Sequence, residues 1–170
     1  LTLSGLHNTT ADDKIYGGSV VVSGLQDNNI ITILQVNNVT FTNNSASSSD
    51  PGNGRVASGG VIANYGTSDD NFISSSVFDT NYVMSGGIAQ GGAVANITAT
   101  NATGSAFDIG HLVSENNTYN GNYAGNHTTD SNTLLSQFNG VVAETAQGGA
   151  IYNAGEMTST NDVFTNNYAE

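Results

Sequence analysis

The sequence predicts an all-β chain wound as a right-handed parallel β-helix, and three observations predict it. Two short motifs recur in alternation along the chain. Apolar residues come in β-branched runs, such as Ser19-Val20-Val21-Val22 and Ile30-Ile31-Thr32-Ile33-Leu34, with no helical periodicity. The polar residues are amides and hydroxyls rather than charges: 24 Asn, 19 Thr and 18 Ser stand beside 21 Gly, and only 9% of residues are charged. A chain of that composition is either disordered or stacked into polar ladders. Its 37% apolar content argues against disorder. The 170 residues suffice for one domain, read here as a single β-helix segment over 1–170.

Charge narrows the partners. Fourteen acidic residues face two basic ones, Lys14 and Arg55, for a net charge of −12. Phosphate recognition needs clustered Lys and Arg, so no nucleic-acid partner is expected. An anionic membrane would repel the surface. No apolar run approaches the ~18 residues of a span, so membrane insertion by this segment is not expected. Cysteine is absent, which removes disulfides and thiolate chemistry. The start carries no basic region followed by an apolar one, so the chain reads as a mature segment without its export signal or anchor.

The first motif is aromatic-x-x-Asn, then Ser or Tyr, then Ala or Val. It reads Phe41-Thr42-Asn43-Asn44-Ser45-Ala46, Phe78-Asp79-Thr80-Asn81-Tyr82-Val83, Tyr119-Asn120-Gly121-Asn122-Tyr123-Ala124 and Phe164-Thr165-Asn166-Asn167-Tyr168-Ala169. Three residues before each ring stand Asn38, Ser75, Asn116 and Asn161; seven before stand Leu34, Asn71, Leu112 and Met157. The second motif is Gly-Gly, a small apolar pair, one residue, then Asn. It reads Gly59-Gly60-Val61-Ile62-Ala63-Asn64, Gly91-Gly92-Ala93-Val94-Ala95-Asn96 and Gly148-Gly149-Ala150-Ile151-Tyr152-Asn153, with a degenerate copy at Gly17-Gly18.

The rings at 41, 78, 119 and 164 are spaced by 37, 41 and 45 residues. A drifting period in this range marks a solenoid with loops of variable length. Two motifs per period suggest two coils per period, about twenty residues each and about eight coils in all. At ~4.8 Å per level, the rod is expected to be about 40 Å long. Loop insertions are expected at about 45–57, around Pro51, and about 125–146.

Stacking gives the repeated residues a physical role. An amide buried in a core must be hydrogen-bonded. One Asn above another meets that need, so Asn44, Asn81, Asn122 and Asn167 are expected to form an inner ladder. Phe41, Phe78, Tyr119 and Phe164 are expected to fill the core as an offset stack. The pairs Gly59-Gly60, Gly91-Gly92 and Gly148-Gly149 are expected to supply positive φ where the chain turns between sheets.

These motifs resemble the polymorphic outer membrane protein repeats of bacterial autotransporter passengers and related adhesins. Gly148-Gly149-Ala150-Ile151 and Phe164-Thr165-Asn166-Asn167 carry the resemblance most directly, and it covers roughly residues 16–170. Tyr119, Val61 and Gly17-Gly18-Ser19 depart from the pattern. The resemblance implies a parallel β-helix on the bacterial cell surface, serving adhesion or as a stalk. It implies no catalytic residue.

Chemistry-bearing residues are sparse. The acid pairs Asp12-Asp13 and Asp69-Asp70 fall in polar stretches, and neighbours in a strand face opposite ways, so neither forms a dyad by itself. With loop carbonyls such a pair would bind calcium weakly; no other cofactor or metal is expected. His7, His111 and His127 share no metal-ligand spacing. Thr40-x-Thr42 and Thr98-x-Thr100 hint at an ice-binding face, but the pairs look too scattered. Seven N-glycosylation triplets, at Asn8, Asn38, Asn43, Asn96, Asn101, Asn116 and Asn126, only slightly exceed the about five that composition predicts.

The expected function is a structural or adhesive module of an extracellular or cell-surface protein, without enzymatic activity. Its partners are neighbouring coils of a longer chain or another copy end to end, and a host-surface or glycan receptor. The alternatives are an end-to-end filament or fibre subunit, and a carbohydrate-active β-helix enzyme or its remnant. Neither end reads as a polar cap.

Overall fold

A computed structural model describes residues 1–10, 14–23, 34–48, 56–65, 71–100, 106–125 and 145–170. Among them every regular element is a strand. The strands are short and pair almost entirely in parallel, each with its equivalent one coil away. The architecture is a parallel β-helix.

Five sheets run around each coil. The first stacks Thr2–Ser4, Thr40–Thr42, Val77–Asp79, Thr118–Asn120 and Val163–Thr165. The second stacks His7–Thr10, Ser45–Ser48, Tyr82–Met84, Tyr123–Ala124 and Tyr168–Ala169. Lys14–Tyr16, Val56–Ser58, Ile88–Gln90 and Thr145–Gln147 form the third, and Val20–Ser23, Ile62–Tyr65, Val94–Ile97 and Ile151–Asn153 the fourth. The fifth holds Gln35–Asn37, Asn71–Ser74, His111–Glu115 and Glu156–Thr160. A short antiparallel pair, Ala99–Thr100 with Ala106–Asp108, branches off between the fourth and fifth sheets of one coil.

One period is therefore one coil, not two. Thr40 pairs with Val77, and Ile62 with Val94, so both motifs lie on the same turn, on different sheets. The coil is about twice the expected length, and the rod is half as long: five levels at ~4.8 Å span about 20 Å. Alternation of motifs does not distinguish two coils from two sides of one; only strand pairing does. The expected insertion at 45–57 also shrinks. Ser45–Ser48 and Val56–Ser58 are strands, and 49–55, with Pro51 and Arg55, lie outside the described residues. Likewise Thr145–Gln147 is strand, and 126–144 lie outside them.

Three corners of the coil turn through left-handed backbone. One column is Asn38, Ser75, Asn116 and Asn161, with φ between +48° and +56°. A second is Gly5, Asn43, Thr80, Gly121 and Asn166, with φ between +52° and +66°. The third is Gly17, Gly59, Gly91 and Gly148. Asn tolerates this region better than other residues with a Cβ, which explains the five Asn of the first two columns. So the first glycine of each pair supplies the positive φ, as expected of both.

The second glycine acts differently. A Cβ on Gly60 would lie 2.1 Å from the Gly92 carbonyl oxygen and 2.6 Å from that of Tyr82. On Gly92 it would lie 2.5 Å from the Tyr123 nitrogen, and on Gly149 2.4 Å from that of Tyr168. The corner into the fourth sheet thus presses on the backbone of the second sheet. This contact pinches the interior into two cores. The larger packs Phe41, Phe78 and Tyr119 against Ile62, Val94, Val36, Ile73 and Leu112. The smaller, between the second and third sheets, holds Ala46, Val83 and Ala124 against Ala57 and Ala89. Small side chains fit there because the pinch leaves little width.

Candidate functional site

The sites that the sequence singles out are interior ladders. Phe41, Phe78 and Tyr119 are buried in one column, preceded in register by Leu3. Ring centroids are 4.9 Å apart for Phe41–Phe78, 4.8 Å for Phe78–Tyr119 and 4.9 Å for Tyr119–Phe164, all near parallel. Phe164 ends the column and is 48% exposed.

Three residues after each ring sits the amide ladder. Asn44 Nδ2 donates to Asn81 Oδ1 at 3.0 Å, Asn81 Nδ2 to Asn122 Oδ1 at 3.0 Å, and Asn122 Nδ2 to Asn167 Oδ1 at 2.9 Å. The same oxygens also take backbone N–H groups from the coil before: Asn44 to Asn81, Asn81 to Asn122, Asn122 to Asn167. The second amide hydrogen returns to a carbonyl, as from Asn81 to Phe41 at 3.1 Å and from Asn122 to Phe78 at 2.9 Å. Each Asn thus satisfies a corner that the strand ladder leaves unpaired.

Sequence reasoning missed several partners. Val39, Ser76, Asn117 and Asp162 stand two residues before the rings. There Val39 N–H donates to Ser76 Oγ at 3.2 Å, Ser76 N–H to Asn117 Oδ1 at 2.9 Å, and Asn117 N–H to Asp162 Oδ1 at 2.8 Å. Three residue types share only an acceptor atom, so no identity signals the column. A second amide ladder runs Asn64 to Asn96 to Asn153, at 2.7 Å for each step. These are the Asn residues of the Gly-Gly motif. The Gln residues before the glycines form a third, with Ser58 Oγ donating to Gln90 Oε1 and Gln90 Nε2 to Gln147 Oε1 at 3.0 Å.

Tyr119, the one ring with a hydroxyl, has a buried partner for it. Its hydroxyl shares a 2.9 Å hydrogen bond with Ser114 Oγ, which also accepts from Asn117 Nδ2 at 3.0 Å. Ser114 sits where Ile73 and Val36 stand in the coils before. Burial raises the Tyr119 phenol well above its ordinary value; the charge of Asp162 adds to the rise, and the Ser114 hydrogen bond opposes it.

The remaining candidates do not gather. His7 Nδ1 lies 2.8 Å from Ser45 Oγ on the second sheet, while His111 lies 3.8 Å from Glu156 on the fifth. Asp12-Asp13, Asp69-Asp70 and His127 lie outside the described residues. Among the described residues no three His, Asp or Glu side chains cluster as a metal site. Thr40-x-Thr42 stacks between Thr2-x-Ser4 and Val77-x-Asp79, whereas Thr98-x-Thr100 belongs to the branch. Of the glycosylation triplets, Asn96 is fully buried. The end of the stack leaves a shallow depression lined by Ile151, Met157, Phe164 and Asn167.

Compared with protein-family models, with characterised proteins and with solved structures, the chain matches none. The fold places it among the parallel β-helices.

Proposed function

We propose that this chain is a structural or adhesive module of an extracellular, bacterial cell-surface protein, a stalk of the kind its resemblance to autotransporter-passenger repeats implies. One observation carries the reading: the residues that define the repeat are engaged in stacking. The rings fill the core, the amides satisfy corners, and the glycines fit two backbones together. A scaffold repeat has that character, whereas a catalytic site needs titratable groups converging from several elements.

A second reading is an end-to-end filament, since parallel strands stacked in register can continue through a head-to-tail contact between copies. Polar register opposes it. The Leu6 N–H donates to Asn44 Oδ1, while Leu6 itself places an alkyl group, with no acceptor, in the Asn column. A copy stacked on the far end would set Leu6 over Asn167, where an acceptor is needed.

The stalk reading is tested by antibodies raised against the folded protein. They are expected to label intact cells of the source, and beads carrying the protein to bind host cells or glycans more than beads carrying heat-unfolded protein. Labelling only after lysis overturns it. Sedimentation at rising concentration separates the filament reading, which requires open-ended growth.

A further inference from the structure

Asn-Gly pairs are the dipeptides most prone to deamidation, because glycine leaves its own N–H unobstructed for attack on the preceding carboxamide. The chain has three, at 53–54, 120–121 and 139–140. Among the described residues only Asn120-Gly121 is present, Asn120 ending an interior strand of the first sheet where the chain enters the left-handed corner.

Stacking engages every atom that reaction needs. The Gly121 N–H donates to the Thr165 carbonyl at 3.0 Å. Asn120 Nδ2 donates to Asp79 Oδ1 at 2.7 Å, one coil back. From the coil ahead, Thr165 Oγ1 donates to Asn120 Oδ1 at 2.9 Å, and Asn166 Nδ2 approaches it at 3.4 Å. For reaction, the Gly121 nitrogen must leave its carbonyl partner and swing over Asn120 Cγ. The carboxamide must turn away from both neighbours.

We propose that Asn120-Gly121 is a modification site held closed by its two neighbouring coils, which deamidates when they part and whose product then weakens the stack. The Gly121 nitrogen bonds to Asn120 Cγ and loses its proton, while the Cγ–Nδ2 bond breaks and ammonia leaves. Water then opens the succinimide to aspartate or isoaspartate. The only co-reactant is water. The product sets a carboxylate oxygen where an amide nitrogen met Asp79, placing like charges opposite one another across adjacent strands. Isoaspartate also lengthens the main chain by one methylene ahead of the corner, against the register. Opening one coil therefore makes its reclosure less favourable. This inference rests on the coil geometry alone and not on the proposed surface role.

The test compares the folded protein with the same protein held unfolded in urea, at neutral pH. Mass spectrometry follows replacement of ammonia by water at position 120. Lys14 and Arg55 are the only tryptic sites, so a protease cutting after aromatic residues resolves the peptide. Deamidation at this position is expected to be at least about tenfold slower in the folded protein, because it must wait for local opening. Equal rates overturn the proposal. In parallel, Asn120→Asp is expected to lower the melting temperature by roughly 2–4 °C, with Asp79→Asn restoring it in that background. An unchanged melting temperature, or no recovery, overturns the second half. If Asn120→Asp does not fold, the effect of Asp79→Asn on recovery of folded protein in that background decides instead, recovery supporting the proposal and its failure overturning it.

Discussion

Thr80 holds a φ of +53° in a corner where its equivalents are Gly5, Asn43, Gly121 and Asn166. A β-branched residue in that region clashes with its own backbone. It stays because its N–H donates to the Asn120 carbonyl at 2.9 Å and its hydroxyl to the Asp79 carbonyl at 2.8 Å. The side chain is exposed, so replacement opens no cavity. Thr80→Asn is expected to stabilise the protein by about 1 kcal/mol, read as a higher urea midpoint. Tyr119 gives the second residue-scale prediction. Its folded phenol is raised above the unfolded value near 10. The stability this contributes is present below pH 10 and is lost as pH rises from there towards the folded value. The loss is about 1.4 kcal/mol per pH unit, since only the unfolded chain releases the proton. Tyr119→Phe is expected to change stability at pH 7 by no more than about 1 kcal/mol, Asn117 still serving Ser114. It should flatten the alkaline decline, followed by circular dichroism between pH 10 and 12.

A ladder differs from a set of independent bonds because each Asn both donates and accepts. Removing Asn122 strands the Asn81 N–H and one of its two Nδ2 hydrogens together, in a fully buried column, while the other stays on the Phe41 carbonyl. Buried donors cost about 1–3 kcal/mol each when left unmade, so Asn122→Leu is expected to cost roughly 3–5 kcal/mol. Asn167→Leu strands the corresponding donors of Asn122, but Asn167 is itself only half-buried, so water reaches the position its amide vacates and the substitution is expected to cost less. Chemical denaturation of both variants checks the ranking. Equal losses would mean that the ladder is not governed by burial. The inner Asn column was legible in the sequence because, in the four coils that carry a ring, its identity does not vary and its distance from the ring never drifts. The neighbouring column of Ser76, Asn117 and Asp162 was not, since hydroxyl, amide and carboxylate all perform the same acceptance.

The two cores make the whole coil depend on the contact between its motifs. Gly92→Ala puts a methyl within 2.5 Å of the Tyr123 nitrogen and within 2.1 Å of the Gly149 oxygen, both backbone atoms that no rotamer change can move. It is expected to cost at least about 3 kcal/mol and to reduce soluble yield, measured by expression and thermal unfolding. The loss should couple to substitutions in the alanine core, which lies on the other side of the pinch.

Sequence alone determined that identical residues sit over one another, which residues are rings, amides and turns, and that strands pair in parallel. Stacking repeats an environment at each level, so it writes itself into the chain as recurrence. Tertiary structure alone decided how far the chain travels before it meets itself, and that the second glycine serves contact rather than conformation. Those depend on which strands close the coil across intervening segments of unequal length, and no single position records that closure.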